Sequence, residues 1–440
     1  MSFNATDLSL NRIISYHSGS EFYDNIYFSK NYHIYEDILA IYYFDNFYRT
    51  IFGGWELSFD NNDNVIGGTV TGFFEEYRDY SGYMAWWNVE GINYSATELY
   101  NAATTESTTD DYVIFSEILS ENDIFNLSRY DDIARGYSGN DDIWGSDGND
   151  ILWGDFGNDT LMGGGGNDEM DGGAGNDFIY GGVGTDLAQF DDLSYLYTTH
   201  LVSGAFVVRG NSATQGADTL TSIENIYFSD LTLETYWFSK TSALTALQSD
   251  SLVELYIASF NRAPDAIGLN YWGGRLHDGM TLPEIAKSFF VQAETVAAYP
   301  ASMSTRTFAT TVYNNVLSRA PDTEGLNYWA REIDTGSVSK DVFLLAIVNG
   351  AKASTGSATD RQTLANKVTV GNYFAFDEGL NNTTWGIDVM DSVTSLSSTV
   401  TAANALTDRY SDMISTGTSS SAMMVDLTGV DTSLLSSVLI

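Results

Sequence analysis

The sequence predicts a multidomain protein that combines β and α structure. Three features predict it: period-two alternation in an aromatic-rich N-terminal region, a nine-residue repeat rich in glycine and aspartate, and helical spacing of apolar residues beyond residue 240. We therefore expect an N-terminal antiparallel β domain, a parallel β-roll, a β cap and a C-terminal all-α domain.

The same changes in composition divide the chain into five segments. The expected segments are an aromatic-rich β domain at 1–125, a β-roll at 126–189, a β cap at 190–239, a helical domain at 240–385 and a C-terminal segment at 386–440. A chain of 440 residues is long enough for about three domains of ordinary size.

The N-terminal segment has the pattern of a small antiparallel sheet. Residues 55–59 (WELSF) alternate apolar and polar side chains, as a half-buried strand does. Residues 61–64 (NNDN) then predict a hairpin turn into a strand at 67–74, and a third apolar run follows at 83–89. We also expect a helix near residues 36–48. The aromatic side chains of this segment are expected to pack in its core rather than to bind a ligand.

The charge balance favours cations as partners. The net charge is −40, from 59 acidic and 19 basic side chains, and such an excess opposes compaction unless cations neutralise part of it. Without a cluster of Lys and Arg, binding to nucleic acid or to an anionic membrane surface is disfavoured. The sequence has no cysteine, which excludes thiolate catalysis, disulfides and cysteine-ligated zinc. No apolar run of about 18 residues is present, so we expect no membrane span.

Six nonapeptides follow one another without a gap from Gly136 to Gln189. They are GYSGNDDIW, GSDGNDILW, GDFGNDTLM, GGGGNDEMD, GGAGNDFIY and GGVGTDLAQ. Each copy has Gly at positions one and four, Asp at position six and an apolar residue at position eight. A flexible glycine-rich linker has no reason to keep aspartate and apolar residues in phase, so the period indicates a stacked repeat structure.

Each position of the repeat has a physical reason. Glycine permits a positive φ and close backbone approach, so the first half of each copy can form a tight turn. The second half forms a short strand whose middle residue points inward. The expected interior residues are Ile143, Leu152, Leu161, Met170, Ile179 and Ala188.

Two copies would make one coil. Alternate copies would therefore stack on one another, about 4.7–4.9 Å apart. Asp141, Asp159 and Asp177 should then line one edge, and Asp150, Asp168 and Asp186 the other. Carboxylates at that spacing repel strongly unless a divalent ion lies between them, and calcium accepts about six to eight carbonyl and carboxylate oxygens. The predicted metal ligands are these six aspartates together with Gly139, Gly148, Gly157, Gly166, Gly175 and Gly184. Six turns would hold about four calcium ions.

Residues 136–189 resemble the β-roll of RTX proteins, which bacteria export by type I secretion, and residues 218–230 resemble the cap that often follows such a roll. The resemblance implies calcium binding and a secreted, extracellular or cell-surface location. In that family the export signal is uncleaved and C-terminal. Residues 423–440 (MMVDLTGVDTSLLSSVLI) are compatible with such a signal, whereas the N-terminal MSFNATDLSL lacks the pattern of a cleaved one.

A duplication follows in the helical segment. The string RAPD at 262–265, with GLNYW at 268–272, returns as RAPD at 319–322 and GLNYW at 325–329, an offset of 57 residues. Residues 245–380 resemble the uncharacterised DUF4214 domain of secreted and surface-layer bacterial proteins. We expect two helical hairpins that pack together.

The charged and aromatic residues of the duplication allow two interpretations each. Arg262 with Asp265, and Arg319 with Asp322, could be an active pair, but we favour helix capping and a clamp on the loop. The aromatic residues of the repeated string could be sugar platforms, but we favour a place in the core. They are Tyr271, Trp272, Tyr328 and Trp329.

No catalytic motif is visible in the sequence. The four histidines are scattered, and HExxH, G-x-S-x-G and a phosphate-binding loop are absent. We therefore expect a secreted structural or adhesive protein, such as a surface-layer or matrix component, that folds on meeting calcium. Cell-surface polysaccharide or other copies of the chain are its candidate partners. The alternative is a type I secreted enzyme or carbohydrate-binding protein whose active or binding domain is residues 1–125.

Overall fold

A computed structural model describes residues 15–17, 37–42, 48–59, 65–79, 82–103, 116–210, 212 and 214–416. The chain divides into two compact units. The first comprises Met1–Asp191 and Thr214–Phe228, and the second comprises Asp192–Ala213 and Ser229–Ile440.

The first unit begins with an antiparallel sheet. Its strands are β1 (Ser15–His17), β2 (Asp37–Tyr42), β3 (Tyr48–Phe59), β4 (Val65–Asp79) and β5 (Gly82–Ser95), and helix α1 (Ala96–Ala103) follows. The strands pair in chain order. The predicted hairpin is confirmed, since Trp55 pairs with Thr69, and the third apolar run lies in β5. The predicted turn at 61–64 and most side chains of this sheet lie outside the described residues.

The helix expected near residues 36–48 is wrong. Residues Asp37–Tyr42 form strand β2, which pairs antiparallel with β3 so that Asp37 lies opposite Gly54. The sequence DILAIY carries two isoleucines, whose β-branched side chains favour a strand once a partner strand is available. That partner is fixed by tertiary structure, which the local pattern does not show.

A parallel β-roll occupies the rest of the first unit. Its strands are β6 (Ile124–Asn126), β7 (Ile133–Arg135), β8 (Asp142–Asp147), β9 (Ile151–Trp153), β10 (Thr160–Gly165), β11 (Glu169–Asp171), β12 (Phe178–Val183) and β13 (Leu187–Gln189), and later β16 (Ala217–Thr221) and β17 (Asn225–Phe228). One sheet has the order β6-β8-β10-β12-β16 and the other has β7-β9-β11-β13-β17. Ile143 lies opposite Leu161, and Leu161 opposite Ile179. Two nonapeptides therefore make one coil, as predicted.

The interior of the roll is a single apolar stack. All six predicted interior residues, from Ile143 to Ala188, are fully buried. Phe125 and Ala134 extend the stack before the first nonapeptide, and Leu220 and Ile226 extend it after the last one. Because β5 pairs antiparallel with β6, the N-terminal sheet continues directly into the first sheet of the roll.

The second unit is mainly helical. It begins with the hairpin of β14 (Thr198–Val202) and β15 (Ala205–Arg209) and includes β18 (Leu231–Glu234). Its helices are α2 (Tyr236–Ser242), α3 (Ala246–Phe260), α4 (Ala266–His277), α5 (Leu282–Phe289), α6 (Ala293–Ala298), α7 (Thr305–Leu317), α8 (Thr323–Asp334), α9 (Lys340–Lys352), α10 (Ala358–Asn372), α11 (Thr383–Asp391) and α12 (Ser397–Thr416), with a π-helical segment at Tyr373–Asp377. Among the helices described, none combines the length and apolar character needed to cross a bilayer.

The duplicated string forms the same helix junction twice. Asp265 caps α4 by accepting the Gly268 N–H, and Asp322 caps α8 by accepting the Gly325 N–H. The predicted capping role is confirmed.

Each duplicated arginine clamps the loop. The guanidinium group of Arg262 donates to the Ala263 carbonyl and to Glu294, and that of Arg319 donates to the Ala320 carbonyl and to Asp360. The predicted clamp is therefore confirmed as well.

The aromatic residues of the duplication divide between core and surface. Trp272 and Trp329 pack against the hydrophobic core of the helical unit, as predicted. Tyr271 and Tyr328 are 38% and 49% exposed, so the core prediction is wrong for both tyrosines. Adjacent helical residues point in different directions, and only one of each pair can face the core.

Candidate metal centre

The aspartates at position six of the repeat form two columns inside the turns. Asp141 Oδ1 accepts the backbone N–H of Asp123 at 2.8 Å, and Asp159 Oδ1 accepts that of Asp141 at 2.8 Å. The same bond recurs every 18 residues along both edges. We call Asp123, Asp141, Asp159, Asp177 and Asp218 the first column, and Asp132, Asp150, Asp168, Asp186 and Glu224 the second column.

The asparagines at position five form a ladder of hydrogen bonds whose direction along the roll is opposite to that of the aspartate bonds. Asn140 Oδ1 accepts the backbone N–H of Asn158 at 2.7 Å, and Asn158 Oδ1 accepts that of Asn176 at 2.8 Å. The aspartate of each turn thus bonds to the preceding coil and the asparagine to the following one. Sequence reasoning gave asparagine no role, although it stands at position five in five of the six copies.

The second carboxylate oxygen of the aspartate at position six has no hydrogen-bond partner in any of the six nonapeptides. The Oδ2 atoms concerned belong to Asp141, Asp150, Asp159, Asp168, Asp177 and Asp186. All six residues are at most 2% exposed. Each Oδ2 is therefore buried without a hydrogen bond, which costs several kcal/mol for a charged group. A proton or a hard cation would remove this cost.

Glycine at position one makes room for this oxygen. A Cβ added at Gly136 would lie 2.3 Å from Asp141 Oδ2 and 2.9 Å from the Gly154 carbonyl oxygen. The orphaned carboxylate oxygen and a backbone carbonyl of the next coil therefore border the same space. These are the oxygen types that calcium prefers.

Glycine at position four lets the coils stack closely. Gly157 has a φ of 147°, and a Cβ at this residue would lie 1.4 Å from the Gly139 carbonyl oxygen. The other position-four glycines also have positive φ. The assignment of Gly139, Gly148, Gly157, Gly166, Gly175 and Gly184 as carbonyl ligands stays a prediction, as does that of the six aspartates.

Burial raises the pKa of the position-six carboxyl groups in the absence of metal. Desolvation raises the pKa of Asp141 and of Asp150 to about 8, and that of Asp159 to about 7, from an ordinary value of 3.8. The negative charge of the next aspartate in the column raises each pKa further. The backbone N–H bond acts in the opposite direction but is outweighed.

Side chains alone do not complete a site. In the part of the chain that the structure describes, no three His, Cys, Asp or Glu residues are grouped so that they could hold a metal ion. Because calcium needs about six to eight oxygens, backbone carbonyls must supply the rest. The turns of the roll place such carbonyls beside the orphaned oxygens of Asp141, Asp150, Asp159 and Asp186.

Four acidic residues of the columns were not among the predicted ligands. Asp123 and Asp132 lie 18 residues before Asp141 and Asp150, and both carboxylate oxygens of Asp123 are buried without a partner. The 18-residue spacing could have identified Asp123 and Asp132 from the sequence. The strings END at 121–123 and YDD at 130–132 occupy positions four to six of a repeat and keep the aspartate but not the glycine. Asp218 and Glu224 extend the two columns at the other end.

Stacked nine-residue turns with buried acidic columns define a calcium-binding β-roll. Residues 120–152 and 153–188 match the family model of the RTX calcium-binding nonapeptide repeat, and residues 286–355 match that of the domain of unknown function DUF4214. The chain therefore carries RTX nonapeptide repeats, which bind calcium, together with a DUF4214 segment. Both predicted resemblances are confirmed.

No curated protein matches the chain. Among solved structures, the extracellular lipase LipA from Serratia marcescens is 27% identical over 21% of this chain and 14% of the lipase chain, with a TM-score of 0.19. The chain thus spans about one seventh of the lipase.

Proposed function

We propose that the chain is a secreted, extracellular structural or adhesive protein whose roll folds when it meets calcium. In this proposal, type I secretion exports the chain, and residues 423–440, which lie outside the described residues, carry the uncleaved signal. A surface-layer or matrix component is the favoured version. RTX repeats are typical of secreted calcium-binding proteins, which supports the export step.

The single observation that carries the proposal is the set of six buried Oδ2 atoms without a hydrogen-bond partner. At neutral pH and without metal, folding of the roll requires each of these carboxyl groups either to take up a proton or to be buried as a charge beside its neighbours, and both oppose folding. Extracellular calcium modules bind at about 10⁻⁴–10⁻³ M, well above cytosolic calcium. The chain would therefore stay loose before export and fold outside the cell.

A calcium titration of the full chain tests the folding step. We expect a gain of β signal in far-UV circular dichroism as calcium rises through the millimolar range, reversed by a chelator. Magnesium serves as the control ion, because it demands octahedral geometry and dehydrates reluctantly. Equal β signal with and without calcium, together with no bound calcium in equilibrium dialysis, would refute the proposal.

The proposed structural or adhesive role needs an exposed surface that can contact other molecules, and it needs no active site. The outer face of the roll exposes Trp144 in β8 and Tyr180 in β12, the two strands on either side of β10. Electron microscopy of the calcium-loaded protein should show sheets or filaments, or the protein should co-sediment with cell-surface polysaccharide. A monomer that does neither would contradict this role. An enzyme or carbohydrate-binding domain in residues 1–125 stays the alternative prediction.

A further inference from the structure

A partial copy of the repeat occurs later in the sequence, separated from the sixth nonapeptide. After Gln189 the chain passes into the second unit and returns to the first at Thr214. Residues 216–221 (GADTLT) then reproduce positions four to nine of the repeat, with Gly216 at position four, Asp218 at position six and Leu220 at position eight. This segment lies outside the residues that match the repeat family, which end at 188.

The backbone of this segment continues the roll in register. Thr219 lies opposite Phe178, and Leu220 lies opposite Ile179 and is 1% exposed. A Cβ at Gly216, whose φ is 66°, would lie 1.8 Å from the Gly175 carbonyl oxygen. Gly216 thus makes the contact that every position-four glycine of the repeat makes with the preceding coil.

Both side-chain ladders also continue into it. Asn176 Oδ1 accepts the Ala217 N–H at 2.9 Å, and Asp218 Oδ1 accepts the Asp177 N–H at 2.9 Å. Asp218 is 3% exposed, as buried as the aspartates of the nonapeptides. The segment therefore replaces the second half of a seventh nonapeptide.

The second column ends on a shortened turn. A Cβ at Gly181 would lie 2.1 Å from the Ser222 carbonyl oxygen and 2.5 Å from Asp186 Oδ2. This repeats the relation of Gly136 to the Gly154 carbonyl and Asp141 Oδ2. Glu224 Oε2 accepts the Asp186 N–H at 2.9 Å, where an aspartate stands in the regular turns. In a regular turn, four residues separate the glycine at position one from the aspartate at position six, whereas only Ile223 separates Ser222 from Glu224. The longer glutamate side chain makes up for this shorter backbone.

We propose that residues 216–224 complete the last calcium site of each column, with Asp218 beside Asp177 and with the Ser222 carbonyl and Glu224 beside Asp186. This inference rests on the proposed function, which supplies the calcium. The independent observation is that Asp177 Oδ2 and Asp186 Oδ2 are buried without a partner, and that Asp186 Oδ2 borders the same space as the Ser222 carbonyl oxygen. Calcium then fastens residues 214–228 to the roll, although residues 190–213 separate them from it in sequence.

The test compares the full-length protein with two isosteric variants. Asp218→Asn keeps an oxygen that accepts the Asp177 N–H but removes the charge, and Asp142→Asn, on the outer face of β8, is the matched control. Bound calcium is counted by elemental analysis after equilibrium dialysis against calcium alone at a concentration near the wild-type midpoint. We expect Asp218→Asn to bind about one ion fewer per chain and Asp142→Asn to bind as many as the wild type.

Hydrogen exchange gives a second measurement that does not depend on counting ions. Calcium should protect the backbone amides of residues 214–228 in the wild type and in Asp142→Asn. In Asp218→Asn, calcium should protect residues 136–162 but no longer 214–228. Unchanged calcium content and unchanged protection of 214–228 in Asp218→Asn would overturn this inference while the wild type still binds calcium. A wild type that binds no calcium would instead overturn the proposed function.

Discussion

Asp159 connects two coils of the roll through one carboxylate, because its Oδ1 accepts the backbone N–H of Asp141 at 2.8 Å while its Oδ2 has no hydrogen-bond partner. The first oxygen fixes the side chain, and the second is left for a ligand. This division of roles predicts that metal affinity and coil stacking can be separated by mutation.

Asp159→Asn should weaken calcium binding without abolishing the folded roll. The amide oxygen can still accept the Asp141 N–H, but the loss of one negative charge in the middle of the column weakens the attraction for an adjacent ion. We expect the calcium midpoint of the circular dichroism transition to rise several-fold, and a tenfold rise corresponds to about 1.4 kcal/mol. Asp142→Asn, with an exposed carboxylate on β8, should leave the midpoint unchanged. Equal midpoints for both variants would contradict this role.

Calcium and protons should compete for the columns. Burial raises the pKa of Asp141 and Asp150 to about 8 and that of Asp168 to about 6, above the ordinary value of 3.8. A group whose pKa is higher in the folded state binds more protons there, so without calcium the stability of the roll falls as pH rises from about 4 to 8.

The gain of β signal on adding calcium should therefore be larger at pH 8.5 than at pH 5.5. Protonated carboxyl groups let the roll fold in part without metal at pH 5.5, whereas at pH 8.5 the carboxylates are charged and the roll needs calcium. Circular dichroism with and without calcium at four pH values between 5.5 and 8.5 measures this difference. A gain of β signal that is the same at every pH would show that these carboxyl groups do not exchange protons for calcium.

The sequence predicted the roll well because its constraints are local and periodic. The nine-residue period gave the interior residues from Ile143 to Ala188, the pairing of alternate copies and the two edges of aspartates. It did not give Asp218 or Glu224, because residues 190–213 interrupt the period and only the tertiary pairing of β12 with β16 restores the register. Strand β2 was missed for a related reason, since its type depends on a partner strand rather than on its own pattern.

Gly157→Ala should disrupt the roll even at saturating calcium. The added Cβ would meet the Gly139 carbonyl oxygen at 1.4 Å, and the φ of 147° is rarely adopted by residues other than glycine. We expect loss of more than about 2 kcal/mol in the free energy of unfolding, or failure of the β transition. Gly350→Ala in helix α9 is the control, because a Cβ there meets no atom within 4 Å. That variant should be neutral or stabilise the helix by up to about 1 kcal/mol. A Gly157→Ala protein with the wild-type calcium transition would contradict the close stacking of the coils.

The two duplicated arginines should differ in importance, although they occupy equivalent places in sequence. The Arg262 side chain is 3% exposed and bonds Glu294 through two nitrogens at 2.7 and 2.9 Å, whereas the Arg319 side chain is 46% exposed where it pairs with Asp360. Arg262→Met should lower the stability of the helical unit by about 2 kcal/mol, because the buried guanidinium group loses its charge-assisted bonds to Glu294 together with the bond to the Ala263 carbonyl. Arg319→Met should cost at most about 1 kcal/mol, because solvent screens the exposed pair.

Thermal unfolding followed by helical circular dichroism measures the stability loss of both variants. A chelator is present so that the roll does not contribute to the transition. Equal losses for the two variants would show that the burial of Arg262 does not set its contribution.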